Sequence, residues 1–300
     1  MKGTSVIDFF DRFPNEQACL QHLVDRRWLG HTGCPRCGKL GRWSPIRGTR
    51  KYQHACRALI SPTEGTIFYR SNLPLMAWFY ALLLNCNSCS GVRARFVKRQ
   101  LGIGVRSAHA LCNKLRMHLA AQARPEKVGG PGQAVYVDET LLTRVVTGPP
   151  RQAANAIAMG FSCNGQVVTG IIRNRRRQTI VQSIERFVER GSTLVTDGHG
   201  SYRCLEKLGW DHIVVDHSKA FHNFEGETTN PIECYWPHLK RALRRYHQVG
   251  KENLWLFLAE TEYRYNRRHS AISPFDEAVS SFPEVSAKTL PNIRKRFVWP

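Results

Sequence analysis

Three successive rhythms of hydrophobic and polar positions run along the chain, and each predicts a different kind of element. Over residues 1 to about 68, short polar and Gly-rich segments break up the apolar positions around a Cys/His cluster. From residue 70 to about 120 the pattern turns helical. LPLMAWFYALLL (73–84) predicts an apolar core helix, and SAHALCNKLRMHL (107–119) predicts an amphipathic one. Between them, GVRARFVKRQLGIGV (91–105) places a tight turn, Leu101-Gly102-Ile103-Gly104, between two basic helices, which is the outline of a helix-turn-helix. A Pro/Gly-rich linker, RPEKVGGPGQ, closes this region.

Beyond the linker the pattern predicts strands. Ala134 to Val137 is a short apolar strand ending on Asp138, and Ala156 to Ser162 and Gln166 to Ile172 flank Asn164-Gly165, a strong hairpin signal. A helix follows with Ile180, Ile184, Phe187 and Val188 on one face. Ser192 to Thr196 is a strand running into Asp197-Gly198. A short helix around Ser201 to Leu208 precedes a strand from His212 to Val215, and helices span about Asn230 to Tyr246 and Glu252 to Tyr265. Strand, hairpin, helix, strand, helix, strand, helix is the element order of a ribonuclease H-like fold, a mixed sheet covered by helices. The C-terminal end carries a basic cluster, Arg294-Lys295-Arg296, expected to be mobile or to face DNA.

Charge narrows the function. Lys and Arg number 44 against 23 Asp and Glu, a net charge of +21, and such an excess favours a polyanionic partner because phosphate contacts release condensed counterions. The hydrophobic fraction of 42% suits a globular chain. No apolar run approaches the twenty or so residues needed to cross a bilayer, and MKGTSVIDFFDRFP lacks a signal peptide's apolar core. The expected setting is cytoplasmic and nucleoid-associated, with no membrane contact. Ten Cys in such a chain point to thiols and metal ligands over disulfides.

Asp138 ends the first strand of the second half, Asp197 ends the fourth, and Glu233 lies in the first turn of a late helix. Metal-dependent phosphoryl transfer needs hard oxygen ligands, and carboxylates at the ends of neighbouring strands can share two Mg2+ (or Mn2+) ions. Singly, each acid has an ordinary reading: Asp-Gly is a common turn, and Glu at a helix start complements the macrodipole. All three in this element order favour the metal site. Glu139 follows Asp138 and, on a strand, points to the opposite face, so it stands outside the site.

VYVDET, LVTDGHGSY, TTNPIECYWPHLKRALRRYHQV and ETEYRYNRRHS, with GTIF and LPLMAWF upstream, resemble the ISXO2-like (IS1595) insertion-sequence transposases over most of the chain. The resemblance implies a catalytic acidic triad at Asp138, Asp197 and Glu233. It also implies a basic residue, Lys240, that helps position the DNA terminus from the same helix face as Glu233. Some members use Asn as the third residue, which leaves Asn230 as the alternative to Glu233. Asn230 before Pro231 also suits a helix N-cap with Pro at N1.

Cys34-Pro-Arg-Cys37-Gly is a zinc-knuckle half, and Tyr52-Gln-His-Ala-Cys56-Arg is the candidate second half. The family pattern has Cys-x-x-Cys there, and Gln53 stands where its first Cys belongs. His54, one residue on, supplies a donor if the knuckle is rearranged, giving Zn2+ on Cys34, Cys37, His54 and Cys56. A degenerate ribbon with free thiols is the competing reading. Cys86 and Cys89 have no partner pair and are read as structural.

Arg93, Arg95, Lys98, Arg99, Arg106, Lys114 and Arg116 cluster on the helix-turn-helix, and acids are absent from Gly91 to Arg124, which favours DNA contact over a merely solvated face. Arg173, Arg175, Arg176 and Arg177 are candidates for tracking the substrate backbone. Arg264, Asn266, Arg267 and Arg268 match the family's late segment, with salt bridging to the preceding acids as the other reading.

Together these readings give an α+β chain. Residues 1–68 form an N-terminal helix and zinc-ribbon-like module, 69–124 a helix-turn-helix region, 131–280 a ribonuclease H-like catalytic domain with an Asp-Asp-Glu triad, and 281–300 a basic tail. The expected activity is transposition: cutting at element ends and joining the 3′-hydroxyl to target DNA by two-metal phosphoryl transfer. The expected partners are double-stranded DNA, as terminal inverted repeats and target, and further copies of the chain on that DNA. A transposase-derived DNA-binding protein without activity, and a nuclease of the same fold that cuts without joining, are the alternatives.

Overall fold

The computed structural model describes residues 3–27, 33–40, 43–122, 125–148, 152–215 and 230–299. Contacts divide the chain into two compact units, Met1–Gln122 with His269–Leu290, and Ala123–Arg268 with Pro291–Pro300. The first 122 residues thus pack as one unit, and the span 269–290 packs with them.

Helices α1 (Val6–Arg12) and α2 (Glu16–Arg27) open the first unit. Ser5 starts α1 by a reciprocal capping box with Asp8. A small antiparallel sheet follows, β1 (Trp43–Pro45), β2 (Tyr52–His54) and β3 (Leu59–Ile60), in sequential order. The apolar helix α3 (Leu75–Cys86) buries most of its residues, and α4 (Ala94–Leu101) and α5 (Val105–Ala121) follow it. Gly102 ends α4 in the left-handed region (φ 64°), a conformation a side chain disfavours, so the turn between the two helices stays as short as its glycines allow. Aromatic rings hold the unit together: Phe13 lies 5.0 Å from Phe79, and Phe9 lies 5.7 Å from Phe275.

The second unit is built on a six-stranded mixed sheet. After the two-residue β4 (Val128–Gly129) come β5 (Ala134–Thr147), β6 (Gln152–Cys163) and β7 (Gln166–Ile172), joined antiparallel. Asn164-Gly165, both at positive φ, makes the expected hairpin turn. Helix α6 (Arg177–Phe187) buries Ile180, Ile184 and Phe187. β8 (Val188–Glu189) pairs with β4, and β9 (Thr193–Asp197) and β10 (Asp211–Val215) extend the sheet in parallel, giving the order β10-β9-β5-β6-β7. Helices α7 (Asn230–Glu233) and α8 (Tyr235–Arg245), the short β11 (Val249–Gly250), and α9 (Leu254–Asn266) complete it. In the first unit α10 (Pro274–Ala278) follows, and α11 (Leu290–Lys295) leads back to the sheet.

Four elements depart from the sequence expectation. β5 does not end at Asp138 but continues to Thr147, because ETLLTRVVT is rich in β-branched residues and pairs with β6 past a register shift between Leu142 and Val145. The helix expected from Ser201 to Leu208 is a single 3-10 turn, Glu206–Leu208, closed by Gly209 in the left-handed region. The late helix from Asn230 is broken at Cys234, where Pro237 has no N–H to give the carbonyl four residues back.

The fourth is the C-terminal segment, expected to be mobile or to face DNA, whose last residues are anchored. Phe297 and Trp299 are buried, and Val298 bridges Ile171 on the edge of β7. Trp299 lies against Gly170, where an added Cβ would come within 2.1 Å of the indole, and it stacks 4.2 Å from Phe187. Arg294 and Lys295 remain exposed.

Two strand glycines therefore mark two close approaches. Gly170 accepts Trp299 on the α6 side of the sheet, and Gly160 accepts Ile232 and Trp236 on the other.

Candidate active site

The sheet register assembles the first two candidate acids. Ala134 pairs with Thr193 and Tyr136 with Val195, so continuing the register two residues brings Asp138 level with Asp197 on adjacent parallel strands. Cross-strand neighbours share a face. Asp138 also pairs with Gly160 on its other side, which puts it on the face covered by Ile232 and Trp236. The Trp236 indole N–H donates to Asp138 Oδ2 at 2.7 Å. Glu233 is half-buried and three residues before Trp236, and helical dihedrals at Cys234 (φ −60°, ψ −25°) carry the turn between them. It therefore stands on the helix side that meets Asp138. Asp197 accepts the His199 backbone N–H on Oδ1 at 3.0 Å.

Burial pushes the Asp138 carboxyl up to about 6. The hydrogen bonds from Trp236 and from the Glu139 backbone oppose this, and the negative charges of Glu139 and Asp197 add to it. Such a group gains from a cation. The three carboxylates are nevertheless not drawn into one tight cluster. Among the described residues, the group of potential ligand atoms lying within 4.8 Å of one another is Cys34, Cys37, His54 and Cys56.

Glu139 behaves as an alternating strand requires, facing away from Asp138, yet it is buried. The Tyr202 phenol donates to Glu139 Oε2. Arg175 Nε lies 2.9 Å from Oε1 as an ion pair, though its N–H is not aligned for a hydrogen bond to that oxygen. Burial, then the Glu139 charge, push the Tyr202 phenol well above its ordinary range. The sequence reading set Glu139 aside and did not reach Tyr202 or Trp236. A glycine inside a strand at Gly160 was the available signal for a close-packed aromatic.

Lys240 is exposed and, with Arg244, lines a cleft of about 540 Å³ floored by Leu141, Leu142 and Pro237. The side chain of Asn230, the alternative third residue, lies outside the described residues. Arg173, Arg176 and Arg177 are exposed, whereas Arg175 is engaged with Glu139. The late segment is largely internal. Arg264 pairs with Glu260 at 2.8 Å in the interior, Asn266 bonds both backbone groups of Val167, and Arg268 donates to the Gly165 carbonyl. Arg267 stacks on Tyr263.

In the first unit, strand alternation decides between the two candidate zinc donors. Tyr52 and His54 point inward and Gln53 outward, so His54 faces Cys34, Cys37 and Cys56. Cys34 Sγ is 3.5 Å from Cys56 Sγ, Cys37 Sγ is 3.7 Å from His54 Nδ1, and His54 Nδ1 is 3.2 Å from Cys56 Sγ. A tetrahedron with Zn–S near 2.3 Å has edges of about 3.7 Å, so the set can hold a metal ion with little movement. Cys86 is buried and Cys89 exposed, and neither joins the cluster.

Of the basic residues, Arg93, Arg95, Lys98, Arg99 and Arg106 are exposed on α4, α5 and the residue before α4. Lys114 is half-buried with its ammonium 5.8 Å from the Trp78 ring centre. Arg116 does not reach the surface: it is buried and donates to Asn113 Oδ1. Among the described residues no helix is long and apolar enough to cross a membrane.

Residues 150–266 match the family model described as the ISXO2-like transposase domain. A Haemophilus influenzae protein described as an uncharacterized transposase-like protein is 32% identical over 104 residues, 34% of this chain and 81% of that one. The matched domain contains Asp197, Glu233 and Lys240, and Asp138 lies on the strand just before it.

Proposed function

The chain belongs to the ISXO2-like transposase family, and from that premise we propose that Asp138, Asp197 and Glu233 form the catalytic site for cutting element ends and joining them to target DNA. The observation that carries this reading is the level placement of Asp138 and Asp197 on parallel strands, on the face covered by the successive helices α7, which ends at Glu233, and α8, which bears Trp236. Hard oxygen donors, one of them desolvated and repelled by its neighbours, fit divalent cations such as Mg2+ or Mn2+. Two such ions, when bound, supply activation of the attacking oxygen and stabilisation of the leaving one.

The chain's own residues do the remaining work. Trp236 fixes one Asp138 oxygen by its N–H and so orients the carboxylate for a ligand role. Lys240 and Arg244, on the rim of an apolar-floored cleft, offer charge to the phosphates of a DNA end. Water cleaves the strand at the element end, and the freed 3′-hydroxyl attacks a target phosphodiester, so no covalent enzyme intermediate is needed.

An antiparallel β5–β6–β7, followed by α6 and the parallel β9 and β10, supports a ribonuclease H-like fold for this unit. The left-handed Gly102 turn and the exposed cations of α4 and α5 support a helix-turn-helix that binds element ends. The four-donor cluster supports one structural Zn2+. The working form on DNA would be an oligomer of this chain.

The test uses the full chain, labelled ends from the sequence flanking the gene, a target plasmid and Mg2+. Asp138→Asn, Asp197→Asn and Glu233→Gln should each lower joining on the order of a thousandfold while end binding persists. Near-normal joining by Glu233→Gln together with loss in Asn230→Ala would show that the third ligand is misassigned. Cutting without joining by the wild type would identify a nuclease instead.

A further inference from the structure

A carboxylate stands in the core where the pattern calls for an apolar residue. Val135, Val137 and Glu139 alternate along β5 onto the face that packs beneath α6, and Glu139 is only 4% exposed. Its hydrogen-bond donor, the Tyr202 phenol, is 1% exposed and belongs to the same core cluster. Burying a carboxylate costs free energy that an apolar pair of similar volume would not.

The cost has a geometric counterpart. Tyr202 ends the loop that leaves β9 after Asp197. Its backbone N–H donates to the His199 carbonyl at 3.0 Å, and the His199 N–H donates to Asp197 Oδ1 at 3.0 Å. The Ser201 hydroxyl donates to the Arg175 carbonyl at 2.7 Å, and the Arg175 guanidinium pairs with Glu139. A connected path therefore runs from Glu139 through Tyr202 and His199 to the Asp197 carboxylate, and Glu139 adjoins Asp138 on the strand. We infer that Glu139 and Tyr202 are positioning residues for the candidate metal site, fastening the loop after Asp197 to the strand that carries Asp138. The inference rests on the proposed metal-binding role of Asp138 and Asp197. Neither Glu139 nor Tyr202 is a ligand in it.

The test is the thermal unfolding of the full chain titrated with Mg2+ or Mn2+ alone. Tyr202→Phe should raise the metal concentration for half-maximal stabilisation by about 10–100-fold, the usual cost of removing a group that orients a ligand. The paired substitution Glu139→Leu with Tyr202→Phe carries the test even if the single variant folds poorly, because it replaces the polar pair with apolar side chains. It should recover or exceed the wild-type metal-free unfolding temperature and still bind metal weakly. A paired variant with the wild-type metal midpoint would reduce Glu139 and Tyr202 to core packing and overturn the inference. Asp138→Asn is the separate control: if it responds to metal as the wild type does, the metal site itself is misread, whatever Tyr202→Phe does.

Discussion

The Cys/His cluster and the carboxylate site both offer donors to a cation, yet they are assembled in opposite ways. Cys34, Cys37, His54 and Cys56 come from one short stretch of chain, and their donor atoms already lie within 4.8 Å of one another. A knuckle and a hairpin close together in the chain suffice to bring them together. Asp138, Asp197 and Glu233 come from a strand, a second strand and a helix, and Asp138 among them is held partly out of water. Donors that already lie together can take up an ion with little movement, whereas Asp138, pushed up by burial and by the charges of Glu139 and Asp197, carries unfavourable electrostatics that a cation would relieve.

The largest effect that would break this comparison concerns the first site. Structural zinc in small modules contributes on the order of 10 kcal/mol or more to folding. Elemental analysis should find one zinc per chain, and Cys34→Ser with Cys56→Ser should abolish it and expose β1 to β3 to proteolysis. A metal-free wild type with the same protease resistance would leave the cluster as a packed set of free thiols.

A smaller effect separates the second site from the first. Because burial raises the folded carboxyl of Asp138 to about 6, above its ordinary 3.8, the folded state holds this proton more tightly than the unfolded one. The penalty is therefore absent below about pH 4, grows between pH 4 and 6, and is complete above. Metal-free Asp138→Asn should then unfold at higher temperature than the wild type at pH 8, by up to about 3 kcal/mol, and show no advantage at pH 4. Equal stability at both pH values would mean that Asp138 is not electrostatically strained.

The smallest effect concerns the exposed cations, where no preorganised cluster exists. Arg99→Ala should weaken DNA binding uniformly and lower the salt slope by about one, whereas Arg116→Ala, at a buried position, should lower the unfolding temperature and leave the slope unchanged. A slope change for Arg116→Ala would show that this side chain turns outward on DNA.

What could be read before folding was whatever depends on neighbours in sequence. The Asn164-Gly165 turn, the apolar stripe of α6, the Gly102 break and the knuckle cysteines are local, because dihedral preference and period act over a few residues. Asp138, Asp197 and Glu233 were picked out as candidates by motif and element order. Their relation was not legible, since it depends on the register of β5 against β9 and on the docking of a helix over Gly160.

Tertiary structure alone decided the rest. Strand alternation turned His54 inward and Gln53 outward. Burial made Arg116, Arg264 and Glu139 internal groups although their charge suggested surface. The C-terminal segment, basic and apparently free, became the partner that closes the edge of β7. There Asn266, Glu262 and the chain around Val298 take the outward backbone groups of Val167, Thr169 and Ile171 in turn. An edge strand leaves those groups unpaired until some other part of the molecule reaches them, and no window of sequence states which part that is.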